Sequence, residues 1–66
     1  MRLTVNGAPA ELADLATVAD LVAARAPDAR RVAVARNSAV VPRSAWGSTQ
    51  LRDGDVVEVL AAVAGG

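Results

Sequence analysis

Sixty-six residues suffice for one domain with a small core, and the lack of any Cys or His excludes disulfides, thiolate or imidazole metal sites and a cysteine nucleophile. All seven basic residues are Arg, so a Schiff-base lysine and an isopeptide linkage onto this chain's own side chains are excluded too; carboxylates, Ser, Thr and Arg remain, a poor kit for an independent enzyme. Seven acidic residues balance the basic ones, which argues against nucleic-acid binding, and no apolar run is long enough to span a membrane.

Leu3-Thr4-Val5 alternates as a half-buried strand does. Asn6-Gly7 then signals a two-residue hairpin turn, because both central positions of a type I′ turn need positive φ. Ala8 to Leu12 is the returning strand. Pro9 within it cannot donate to a ladder, which predicts an edge position. The first six residues hold too short and too interrupted an apolar stretch for a signal peptide, so a cytoplasmic location is expected.

Thr17 with Asp20 three residues on forms an N-cap and a variant of the capping box. Val18, Leu21 and Val22 make one apolar helical face. Pro27 pushes its predecessor out of the α region. The spacing predicts a helix from about Val18 to about Arg25.

Arg31 to Arg36 alternates again, with Val32 and Val34 on one face and Arg30-Arg31 a solvated pair at its start. Asn37-Ser38 is a turn, and Ala39-Val40-Val41 a short strand ended by Pro42. Ser44 to Ser48 reads as a loop or a single helical turn carrying Trp46, which is expected to plug the edge of the core. Asp53-Gly54-Asp55 is a tight turn, its two carboxylates being turn residues rather than a catalytic dyad. It launches the strand Val56 to Ala61.

The order β-β-α-β-β-β suits one mixed sheet with a helix across one face, an α+β fold. Placing the first and last strands side by side and parallel at the centre gives the β-grasp, or ubiquitin-like, architecture over a single domain, residues 1–66. On the last strand Val57, Val59 and Ala61 share one face and Val56, Glu58 and Leu60 the other. If the first set packs on the helix, Val56 and Leu60 form an apolar patch suited to docking a partner. Arg43 is a further candidate for contact with an acidic partner.

The chain closes on Ala64-Gly65-Gly66. Two residues without Cβ atoms can lie in a channel too narrow for any side chain, and the terminal carboxylate is then the only reactive group at the tip. Disorder is expected from about Ala64 onward.

Two stretches resemble ThiS-type sulfur carriers. Val34 to Trp46, with Val41-Pro42-Arg43 and Trp46 shortly after, is similar to their central segment. Leu51 to Gly66, with its Asp-Gly-Asp turn, hydrophobic strand and Gly-Gly end, is similar to their closing one. The Ala-rich first strand and helix, and Arg36 before Asn37, depart from the family pattern. The resemblance implies a carrier in thiamine biosynthesis that binds no cofactor of its own. A ThiF-type adenylyltransferase, using ATP and Mg²⁺, would adenylate Gly66. A sulfur donor protein would convert it to a thiocarboxylate, and a ThiG-type thiazole synthase would take the sulfur. Gly65 and Ala64 would be the thin neck that threads into both active sites. The small subunit of molybdopterin synthase, other sulfur carriers, a covalent modifier and a TGS-type nucleic-acid or ribosome-associated module stay open as alternatives.

Overall fold

A computed structural model describes residues 1–28 and 31–62. Its elements are β1 (Arg2–Val5), β2 (Ala8–Glu11), α1 (Val18–Arg25), β3 (Arg31–Arg36), β4 (Ala39–Val41), a 3₁₀ helix (Arg43–Ser48) and β5 (Val56–Ala62). The sheet order is β2-β1-β5-β3-β4. β5 lies at the centre, parallel to β1 and antiparallel to β3. This is the β-grasp arrangement that the element order predicts, with Pro9 in the edge strand β2.

Both hairpins close on two-residue turns in the left-handed region. Asn6 and Gly7 take φ 52° and 80°, and Asn37 and Ser38 take 50° and 70°. These are the signs a type I′ turn requires, and its twist matches that of the flanking strands. Ser38 holds a conformation that disfavours any residue with a Cβ, by about 1–2 kcal/mol. Glycine there would lose more entropy on folding, about 0.4–1 kcal/mol. Ser38→Gly is therefore expected to stabilise the domain by about 0.5–1 kcal/mol. A rise in the urea midpoint at unchanged slope checks this; a fall would mean that the Ser38 side chain contributes more than the strain it carries.

Helix α1 starts where its cap dictates. The Asp20 amide donates to Thr17 Oγ1 at 3.2 Å and the Thr17 amide donates to Asp20 Oδ2 at 2.9 Å, a full capping box. At the other end the Ala26 amide closes the last turn on the Val22 carbonyl at 2.8 Å before Pro27 stops the run. Val18, Leu21 and Val22 face the sheet, and they join Leu3, Val5, Val34, Trp46, Leu51 and Val57 in one core. Each fully buried Leu or Val there contributes about 1.5–3 kcal/mol through removal of apolar surface from water.

The segment Ser44 to Ser48, expected as a loop or one helical turn, belongs to a 3₁₀ helix that begins at Arg43. It turns Trp46 into the core, and the indole N–H donates to the Val41 carbonyl at 3.0 Å. The approach to α1 is held to the segment after this helix. The Val18 amide donates to the Thr49 carbonyl, and the Leu51 amide to the Ala16 carbonyl, at 3.0 and 2.9 Å.

Asp55 exceeds its expected part as a turn residue. It is buried, and its carboxylate accepts from the Arg52 amide at 2.8 Å and from Asn37 Nδ2 at 3.1 Å. It thereby ties the β3–β4 turn to the start of β5. Asp53 accepts from the Arg2 amide at 2.7 Å, docking the Asp53-Gly54-Asp55 turn onto β1.

Candidate functional site

The expected reactive tail follows directly on β5. The residues assigned to it, Ala64, Gly65 and Gly66, lie outside the described residues, as does the disorder expected there. What the structure shows is how the strand leading to them is held.

Burial along β5 falls away toward its end. Val57 is fully buried, Val59 is half-buried, and Leu60, Ala61 and Ala62 are exposed. Ala61 shares a face with Val57 but gets no cover. A helix of eight residues extends about 12 Å, whereas a strand of seven extends about 23 Å, so β5 outruns the element above it.

The other face of the sheet carries the predicted patch. Leu60 is 75% exposed and Val56 49%. Val40, which the sequence did not single out, is 79% exposed. The registers Ala33↔Leu60, Ala35↔Glu58 and Ala35↔Val40 set these side chains across adjacent strands. The small side chains of Ala33 and Ala35 lie between Val40 and Leu60, and the result is a shallow, mostly apolar depression with Glu58 on its wall. Alanine in β3 thus has a positive role here: it lowers the floor. A three-residue strand shows no periodicity, so Val40 could be found only from the cross-strand register.

Arg43 stands apart from this depression. Its guanidinium carbon lies 5.0 Å from the centroid of the Trp46 ring, a cation–π contact on the side chain that enters the core. Arg31, at the start of β3, is exposed as expected. Arg30 lies outside the described residues.

Among the described residues no group of three or more Asp or Glu could hold a metal ion, and no helix is long and apolar enough to cross a membrane. What the described residues offer is an exposed, mostly apolar depression and a strand that runs past the helix packed on it.

Comparison with known proteins agrees with this geometry. Residues 3–66 match the ThiS family. A crystal structure of a thiamine biosynthesis protein (ThiS) from Geobacter metallireducens is 39% identical, with a TM-score of 0.81 over 100% of both chains. An NMR structure of a thiamine biosynthesis protein from the same organism is also 39% identical, with a TM-score of 0.80 over 100% of this chain and 88% of that one. A thiazole synthase of Paramagnetospirillum magneticum is 36% identical over all 66 residues, which span 20% of that relative's length. With the match running through the closing Gly-Gly, on a β-grasp sheet of the same shape as these neighbours, the chain belongs to the ThiS family.

Proposed function

We propose that this chain is a sulfur carrier of thiamine biosynthesis, acting as co-substrate of partner enzymes rather than as an enzyme itself. The observation that carries the reading is the family match over residues 3–66, which includes Gly65-Gly66, on a fold shared with a ThiS structure at a TM-score of 0.81. A C-terminal carboxyl is ionised at neutral pH. In a ThiF-type partner the Gly66 carboxylate attacks the α-phosphorus of ATP and pyrophosphate leaves. The partner's Mg²⁺ and positive charge stabilise the charge that develops. A persulfide carried by a donor protein then attacks the acyl carbon and AMP departs, giving an acyl disulfide. A thiol supplied by the partner proteins cleaves its S–S bond, leaving the thiocarboxylate and a disulfide between the thiol and the donor. That soft nucleophile delivers its sulfur to the forming thiazole on a ThiG-type synthase. No step asks this chain for an acid or a base, which suits a composition without His, Cys or Lys.

The depression between Val40 and Leu60 is the docking face in this reading, with Val56 exposed on the same side of β5. Such a face with exposed aliphatic side chains beside an outgoing strand lets a partner hold the body while the tail reaches its active site. The similarity to one fifth of a thiazole synthase supports a synthase as one of the proteins served.

The test exploits the absence of cysteine. The protein is expressed in bacteria with an active sulfur pathway and treated with a thiol-alkylating reagent. The C-terminal fragment is then weighed, since oxidation of Met1 adds nearly the mass that exchange of oxygen for sulfur adds. Alkylation is expected at Gly66 alone. In the Val40→Asp, Leu60→Asp double variant it is expected to fall at least about tenfold, within the range of hot-spot losses, with an unchanged circular dichroism spectrum. Absence of alkylation in the unaltered protein, with ATP, a sulfur donor and a ThiF-type partner supplied, would sink the carrier reading. Full alkylation of the double variant would remove the depression from it.

A further inference from the structure

The two edges of β5 are supported unequally. On the β3 side the ladder runs from Arg36↔Val57 to Arg31↔Ala62. On the β1 side it is limited to Thr4↔Val56 and Val5↔Val57, closed by the Asn6 amide on the Val57 carbonyl at 2.9 Å. There β1 turns away into its hairpin with β2. The next backbone groups on that edge belong to Val59, and a side chain takes both of them. Asn6 Nδ2 donates to the Val59 carbonyl at 3.1 Å, and the Val59 amide donates to Asn6 Oδ1 at 2.8 Å.

The carboxamide thus supplies the donor and acceptor that one more residue of β1 would have supplied. It does so where the strand loses its cover: Val59 is the last half-buried residue, and Leu60 to Ala62 are exposed. Among the described residues nothing beyond Asn6 bonds to β5 on this edge. The turn does not by itself require asparagine. At φ 52° glycine would serve the backbone as well. Asn37 sits at the same position of the other hairpin and reaches β5 from the opposite side, its Oδ1 accepting from the Val56 amide at 2.9 Å. Asn37 fixes where β5 begins; Asn6 fixes where it parts from β1.

We infer that Asn6 is a positioning residue for the tail: its carboxamide holds the β1-side edge of Val59 so that the last residues of β5, paired on their other edge to β3, run on extended and in one direction. The inference rests on the carrier reading of Gly66. A partner that receives an already extended strand has less chain to order on binding. Loss of the clamp should then weaken productive association and leave the chemical step at Gly66 unchanged.

Asn6→Gly separates clamp from turn, since it deletes the carboxamide and keeps the positive φ. Asn6→Asp keeps the acceptor for the Val59 amide and loses the donor to its carbonyl, a second variant should the first fold poorly. Two measurements on the full chain decide the matter. In amide hydrogen exchange by NMR, Val59 in Asn6→Gly is expected to exchange about tenfold faster, as loss of two neutral hydrogen bonds implies, with Val34 in the core unchanged. In ATP-dependent adenylation by a ThiF-type enzyme, KM for the carrier is expected to rise about fivefold to tenfold on the same basis, with kcat unaltered and Asn6→Asp in between. An unchanged KM beside faster exchange would make the clamp merely structural and overturn the inference. Equal acceleration at Val34 and Val59 would overturn it too, by showing a global loss of stability. If the unaltered protein is not adenylated at all, the carrier reading fails, while the exchange at Val59 still reports whether Asn6 holds the strand.

Discussion

Gly65→Val is expected to cut thiocarboxylate formation at least about 100-fold and to leave the domain folded. The size of the effect follows from geometry: a reacting atom misplaced by about 1 Å can cost a factor of 10². A β-branched side chain one residue from the reacting carboxylate adds three carbons where the proposed channel has room for a hydrogen. It also disfavours the φ, ψ values open to glycine alone. The sheet should not respond, because among the described residues its last paired one is Ala62. The check is adenylation by a ThiF-type enzyme beside a thermal melt. Gly65→Ala should fall between the two. Turnover of the valine variant within about threefold of the parent, against the 10² expected, would show that the tail is not threaded through a narrow passage.

The second large effect is on stability. Leu21 is completely buried at the middle of α1, facing β1, β3 and β5 through the shared core. Leu21→Ala removes three carbons from a site that the surrounding sheet cannot collapse to fill, and such changes cost about 2.7–5 kcal/mol. A domain of this size has roughly 3–10 kcal/mol to lose. The melting temperature is therefore expected to fall by at least about 10 °C, at about 4–8 °C per kcal/mol for small domains. Leu15 is the control, since it is 74% exposed and Leu15→Ala should move the midpoint little. Equal shifts for the two leucines would contradict the assignment of the core.

What could be read from the chain before its structure depended on how local the signal was. Thr17 with Asp20, Asn6-Gly7 and Pro27 act on their immediate neighbours, and the helix bounds and the first hairpin came out where they placed them. The exposure of Val56 and Leu60 followed from strict alternation along one strand. Leu51 was not legible as core: it stands between Gln50 and Arg52 with no period around it, and it is buried through pairing of its segment to Ala16. Burial of Asp55 depends on Asn37, eighteen residues away. The bare upper half of β5 depends on the relative lengths of a helix and a strand. The register that brings Val40 to the depression, and the bonds from Asn6 to Val59, arise between residues far apart in sequence, where alternation and turn chemistry carry no information.

The place of β5 in the sheet has a consequence for the order of events when the protein is made. β1–β2 and β3–β4 are local hairpins and can form early, within microseconds. Neither pairs with the other: the order β2-β1-β5-β3-β4 joins them solely through the last strand. Pairing Thr4 with Val56 closes a loop of about fifty residues, a non-local step that is slow relative to hairpin closure. During synthesis β5 is the last of these five strands to leave the ribosome, so the sheet lacks its centre until residue 62 has emerged. The depression needs β3, β4 and β5 together, and the Asn6 clamp needs β1 and β5 together. A chain in which β5 has not yet been made therefore displays neither, and a partner that recognises both engages the domain only once β5 is in place.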